Sequence, residues 1–439
     1  MDKDKQRRTG AFYTPRIWAD EAHKYITNTF GEDWKDKYVV WDPAWGTGNL
    51  TRDYKFKELY CSTIEQSDID TANQMNYNPE ATKFQYDFLN DGIVDGQIDI
   101  INDPKLPQGL KDAILQGKEI IVFMNPPYQD GSELTTDGGD SELKNNIQTS
   151  INLLMIKDKW GRCSKQLYTQ FLYTITECQK LNKNIIIGLF CPSTFLTGPS
   201  FKKFRGKYFE YFNYKKGFLF RASHFADVAD NWGISFTIWN NKKNDNEFNV
   251  DILDVNEKNF NIEKQFVKNL YNSDDLIPAS EWVRREIKGM EIFDTPKLSS
   301  ALNVKKTDKG NMVNNSLGYF YNHSNNVNLN AQSVVMFSSG FSQGQGLSVI
   351  PENYYKVISL FTARKCVNKT WINWQDEYIS PNEWHPYYQQ FQYDSIIYSL
   401  FNSKSQQSSL RQVEYKDTLW DIKNNFFWMS REEMKEINK

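Results

Sequence analysis

Between Tyr38 and Trp239 the chain alternates short apolar runs with helix-sized segments, and this rhythm narrows the fold more than any other feature. The runs are KYVVWD, ELYCSTIE, KFQYDF, EIIVFMN, NIIIGLF and, later, GISFTIW. Each is rich in Val, Ile and aromatics and short for a helix, which predicts strands covered on both faces. Strands of this kind separated by helices build a doubly wound, mostly parallel α/β sheet. Such sheets bind ligands beyond the carboxyl ends of their strands, where strand order reverses. The residues just after each run therefore carry the functional information.

At 439 residues the chain exceeds one ordinary core, so at least two domains are expected. The polar run NNKKNDNEFN breaks the rhythm after Trp239, which predicts a boundary near Asp245, with residues 1–245 as one domain and 246–439 as the other. The second part mixes short strands with Asn- and Ser-rich turns and aromatic clusters, TWINWQDEY and NNFFWMS. Between Gln129 and Lys165 the stretch DGSELTTDGGDSELKNN predicts a long polar loop, either a lid that orders on substrate or an ordinary surface insertion.

A net charge of -3 does not mark a generally basic nucleic-acid binder, so any such site must rest on local charge. Cys61, Cys163, Cys178, Cys191 and Cys366 form no CxxC pair, and His23, His224, His323 and His385 show no ligand spacing, so no metal site and no disulfide scaffold are expected. A reducing cytoplasm fits best. No apolar run reaches about 18 residues and MDKDKQRRTG lacks a signal peptide's apolar segment, so a soluble chain without a membrane partner is expected.

The strand ends share one theme. The first run closes in WDPAWGTGNLT, where Gly46 and Gly48 permit a tight turn and close backbone approach, and Asp42 offers an acceptor for an amino group or water. The second places Glu65 at a strand end about twenty residues on, suited to ribose hydroxyls; Asp68 and Asp70 are rivals, although acids in a first helical turn need no ligand. The third ends in YDF, with Asp87 an acceptor for an adenine amino group and Phe88 a packing face. The fourth ends in NPPY: Asn125 supplies a side-chain carbonyl, Pro126 a backbone carbonyl, Pro127 stiffness and Tyr128 a flat ring. Two acceptors and a stacking face suit an amino group on a planar base.

With GAFYTP, Gly10 to Pro15, preceding DPAWGTG and then NPPY, the sequence resembles the DNA adenine-N6 amino-methyltransferases in their gamma motif order, over about the first half of the chain. The resemblance implies S-adenosylmethionine as cofactor, with Tyr13, Thr14 and Pro15 helping to bind it. Asp42, Ala44, Gly46 and Gly48 would surround its amino-acid moiety, Glu65 its ribose, and Asp87 with Phe88 its adenine. Asn125, Pro126, Pro127 and Tyr128 would serve the target base. Trp45 departs from the small residue or cysteine usual at its position, which predicts an altered pocket edge. The expected fold is a seven-stranded methyltransferase sheet followed by a mixed α+β target-recognition domain.

The expected partner is double-stranded DNA, with a cognate restriction endonuclease where the chain serves restriction-modification rather than an orphan or phage role. No fused nuclease is expected, because only about ten residues precede GAFYTP. The target base would be flipped out onto Tyr128, with Trp232 or Phe236 as its second face. FKKFRGKYFEYFNYKKGFLFR offers Lys202, Lys203, Arg205, Lys207, Lys215, Lys216 and Arg221 for phosphates, its alternative reading being a solvated helix face. In the second domain Arg364, Lys365, Asn373 and Gln375 are candidates for reading sequence. Adenine is expected over cytosine because similar cytosine enzymes more often carry Ser where Asn125 stands. The rival readings are a protein-glutamine or RNA amino-methyltransferase and a non-catalytic recognition subunit of a restriction system.

Overall fold

A computed structural model of the chain describes residues 13–128, 149–225, 232–243, 248–256, 258–270, 276–284, 292–296, 309–313, 316–322, 324–328, 334–337, 346–401 and 409–423. Two compact units divide it, Met1–Asn272 and Ser273–Lys439.

The first unit is built on strands β1 (Val39–Asp42), β2 (Leu59–Thr63), β3 (Thr82–Gln85), the short hairpin β4 (Ile93–Val94) and β5 (Gln97–Ile98), β6 (Ile120–Met124), β7 (Ile185–Cys191), β8 (Asn213–Arg221), β9 (Gly233–Asn240), β10 (Asn249–Val255) and β11 (Ile262–Asn269). All but β4 and β5 join one nine-stranded sheet in the order β11-β10-β8-β9-β7-β6-β1-β2-β3. From β3 to β7 every pairing is parallel, while β9 lies antiparallel between β7 and β8. The six runs read from the sequence are β1, β2, β3, β6, β7 and β9. Order runs β1-β2-β3 toward one edge and β6-β7 toward the other, so the switch lies between β1 and β6.

The sheet has nine strands where seven were expected, because β10 pairs parallel with β8 and turns back into β11. This hairpin lies within the first unit, Met1–Asn272. Val250, Ile252 and Leu253 are buried on it, which makes it part of the first unit's core.

Both faces of the sheet are covered. Helix Arg16–Phe30 buries Trp18, Ala19, Ala22, His23, Tyr25 and Ile26, a stripe at three- and four-residue spacing. Trp18 stacks on Phe220 at 3.9 Å, and Val40, Ile121, Phe123, Phe190 and Phe236 join the same core. Gly31, with φ +97°, ends this helix and donates its N–H to the Thr27 carbonyl. Phe171 of helix Leu167–Leu181 stacks on Phe88 at 4.7 Å, and Phe88 meets the Trp41 edge at 5.5 Å. Cys61, Cys163, Cys178 and Cys191 are buried in this unit, whereas Cys366 of the second unit is exposed.

The polar stretch after Tyr128 divides. Residues 129–148 lie outside the described residues, whereas Ser150–Lys157 forms a helix capped by the Thr149 side chain, so the expected loop ends by Thr149.

The second unit mixes α and β as expected. It contains β12 (Ile292–Pro296) paired with β13 (Lys309–Val313), the three-stranded sheet of β14 (Gly318–Asn322), β15 (Val334–Phe337) and β16 (Leu347–Val349), and the hairpin of β17 (Ser409–Tyr415) and β18 (Thr418–Lys423). Phe320, Val334, Met336 and Val349 pack with Val357, Ile358, Leu360 and Phe361 of helix Tyr354–Cys366. The NNFFWMS cluster lies outside the described residues.

Candidate functional site

At the switch point β1 ends in Asp42 and β6 in Met124, and the chain beyond each forms one side of a common site. After β1 the backbone turns through Gly46 (φ +52°) and Gly48 (φ +75°), conformations that favour glycine. Trp45 lies beneath this turn. Its indole is buried, donates from Nε1 to Thr51 Oγ1 at 2.8 Å, and lies so close under Gly48 that a Cβ there would stand 2.9 Å from the ring. The bulky residue is absorbed into the core and fixes Gly48 by contact as well as by backbone angle. Asp42 is 1% exposed and accepts the Ala44 N–H at 3.1 Å. Burial outweighs that bond and pushes its carboxyl up to about 8.

Tyr13, Thr14 and Pro15 reach this edge from the N-terminal side; Gly10 lies outside the described residues. Thr14 is 2% exposed and joins two loops. Its carbonyl accepts Asn49 Nδ2 at 3.0 Å, and its hydroxyl accepts Asn125 Nδ2 at 3.0 Å. The Tyr128 hydroxyl donates to Asn125 Oδ1 at 2.6 Å, Pro126 is buried, and Pro127 and Tyr128 are half-buried. Burial pushes the Tyr128 phenol far above its usual range, so the ring remains a neutral donor. Burial, with the Asp68 and Glu65 carboxylates adding to it, raises Tyr13 as well. The tyrosine ring also stands near Gly46, where an added Cβ would be 3.8 Å away.

At the end of β2, Glu65 is exposed and precedes helix Gln66–Gln74. Its two rivals are engaged locally: Asp68 accepts the Thr63 hydroxyl at 3.0 Å and Asp70 accepts Gln66 Nε2 at 3.0 Å. Asp87 accepts the Leu89 N–H and Asn90 Nδ2, at 3.0 and 2.8 Å. Phe88 is 3% exposed, with its ring against Phe171 and Trp41.

Sequence reasoning missed Asn49, whose only signal is its place directly after Gly48, and Phe225, which faces Tyr128 at 6.5 Å between ring centres. Of the two aromatics expected to face Tyr128 from the far side, Phe236 is wholly buried against Phe190 and Phe218, and Trp232 is half-buried.

The residues of the basic stretch differ in exposure and in partners. Arg205 is fully buried and donates from Nη1 to the carbonyls of Phe195 and Gly198, at 2.9 and 2.8 Å. Lys207 lies 5.8 Å from the Trp160 ring centre, Lys216 5.1 Å from that of Tyr25, and Arg221 pairs with Asp254 at 3.2 Å. Lys202 and Lys203 are exposed at the start of helix Lys202–Tyr208, and Lys215 is half-exposed on β8. In the second unit Arg364 is 2% exposed and donates to the carbonyls of Ser324 and Asn326, at 2.8 and 2.9 Å. Lys365 is buried beside Phe361, and Asn373 closes its own turn on Asn368 and Thr370. Arg205 and Arg364 thus give hydrogen bonds to backbone carbonyls inside the fold. Gln375 is half-buried.

No protein-family model matches the sequence and no curated protein matches it. Solved structures do. A DrdV–DNA complex is 17% identical, with 58% of this chain and 28% of that one covered and a TM-score of 0.37. The type I restriction-modification system methyltransferase subunit from Streptococcus thermophilus is 13% identical, with 59% and 50% covered and a TM-score of 0.35. The Type IIL restriction-modification enzyme MmeI in complex with DNA is 12% identical, with 68% and 46% covered and a TM-score of 0.40. This chain thus spans half or less of each of those chains. Among the described residues no helix is long and apolar enough to cross a membrane.

Proposed function

We propose that the chain is an S-adenosylmethionine-dependent methyltransferase acting on the N6 amino group of an adenine flipped out of duplex DNA. The observation that carries this reading is the convergence of three separated motifs on the switch point: Thr14 of the first touches Asn49 beside the glycines of the second and Asn125 of the third.

The residues fit such a cofactor. A loop with two left-handed glycines permits close backbone approach, the Asp42 carboxyl at the end of β1 is an acceptor for an ammonium group, and exposed Glu65 at the end of β2 suits ribose hydroxyls. When bound, the cofactor supplies an electrophilic methyl group. The chain's own part is to seat and orient the acceptor. An exocyclic amino nitrogen is a weak nucleophile while its lone pair is delocalised into the ring, and hydrogen bonds from its two protons to Asn125 and the Pro126 carbonyl favour the pyramidal geometry that transfer requires. No strong base is needed, because the proton becomes acidic only after methylation. Flipping costs a few kcal/mol, and stacking on Tyr128, roughly 1–3 kcal/mol for a base on an aromatic ring, offsets much of it.

With methyl-labelled cofactor, the wild-type chain is expected to label duplex DNA at adenine. Asn125→Ala is expected to lower transfer by about 100-fold or more, the scale for losing one group placed for the transition state, with cofactor affinity nearly kept. Label only in protein or RNA, or full activity in Asn125→Ala, would reject the reading.

A further inference from the structure

We propose that Thr14 is a positioning residue for the acceptor that receives the target amino group. The inference rests on the methyltransferase reading above and assigns to this side chain a task separate from cofactor contact.

An asparagine amide has two ends of similar shape and opposite hydrogen-bonding character, and only the oxygen end can serve an incoming amino donor. In Asn125 both ends are held. Nδ2 donates to Thr14 Oγ1 at 3.0 Å, and Oδ1 accepts the Tyr128 hydroxyl at 2.6 Å. The Thr14 hydroxyl is fixed where it stands, since Thr14 is 2% exposed and its own carbonyl is tied to Asn49 at 3.0 Å. With Nδ2 engaged by Thr14, the oxygen is the end turned toward Tyr128, the ring on which the base would stack. The Tyr128 hydroxyl then acts as a stand-in donor, and the amino group of the base takes over or shares that acceptor on arrival. Asn125 follows the end of β6, and the strand alone leaves its amide free to rotate about the terminal side-chain bond. The Thr14 contact removes that freedom.

The two bonds of Thr14 separate the roles. Its backbone carbonyl holds the glycine loop, and its side chain holds Asn125, so Thr14→Val deletes the second and keeps the first. Thr14→Val is expected to bind S-adenosylmethionine, followed by tryptophan fluorescence, within about 3-fold of wild type, while kcat on duplex DNA falls about 10- to 100-fold, the scale expected for a slightly misplaced reacting group. Thr14→Ser, which restores the hydroxyl, is expected to recover most of kcat. If wild type labels DNA and Thr14→Val matches its kcat, the assignment is overturned while the methyltransferase reading stands. It is also overturned if Thr14→Val and Thr14→Ser lose cofactor affinity and kcat together. If wild type labels no DNA, the methyltransferase reading itself falls and takes the assignment with it.

Discussion

Asp42 shows what a single buried carboxyl does to the whole chain. Its proton is held up to about pH 8 by burial, whereas an unfolded aspartate releases it near pH 4. Between those values the folded chain keeps a proton that the unfolded chain has lost, so this group's contribution to stability is fully present below about pH 4 and is lost as pH rises toward 8. Asp42→Asn, which imitates the neutral acid, is expected to flatten that part of the profile. Urea midpoints for both chains at several values between about pH 5 and pH 8 would test it, and parallel profiles would show that Asp42 is not the source. The position of Asp42 at a strand end was legible, because a strand buried on both faces writes itself as an unbroken apolar run. The burial of Arg205 and Arg364 was not. Their partners are backbone carbonyls, which leave no mark in a sequence, so Arg205 looked like a phosphate contact and Arg364 like a reader of bases.

Among the elements, the strands nearest the switch point were the readable ones. β8 was hidden because Lys215 and Lys216 stand in its first half, and the segment reads as a basic surface rather than a strand. β11 was hidden for a related reason: it lies at the sheet edge, most of its side chains face solvent, and its composition is that of a loop. The hairpin of β10 and β11 is nevertheless tied to the core. Tyr214 donates to the Asn249 carbonyl at 2.6 Å, and Tyr25 of the first helix donates to Asp251. A chain of residues 1–245 lacks this hairpin and one of residues 1–272 keeps it. The shorter chain is expected to be less stable by at least about 4 kcal/mol, from the apolar burial of Val250, Ile252 and Leu253. Denaturant titration of the two compares them directly, and coincident midpoints would show that the hairpin adds nothing.

At the scale of the whole molecule, the site needs segments that are far apart in sequence, and this explains which part of it could be read. Each motif announced its own local chemistry, but the bonds among Thr14, Asn49 and Asn125 span up to 111 residues and follow only from the strand order. The distribution of thiols is likewise a property of the whole chain. Four of the five cysteines are buried in the first unit, and burial holds the thiols of Cys61, Cys163, Cys178 and Cys191 above their usual range, so neither access nor thiolate is available to a reagent. Cys366 is exposed on the second unit. A colorimetric disulfide reagent is therefore expected to react promptly with one thiol of the native chain and with all five in denaturant, and prompt reaction of several native thiols would contradict this packing. The slow reaction of the remaining four then times each opening of the first unit, Cys61 and Cys191 from its sheet and Cys178 from a covering helix, so the protein carries an intrinsic clock for its own breathing, with a dye attached at Cys366 as an independent reporter of the other unit.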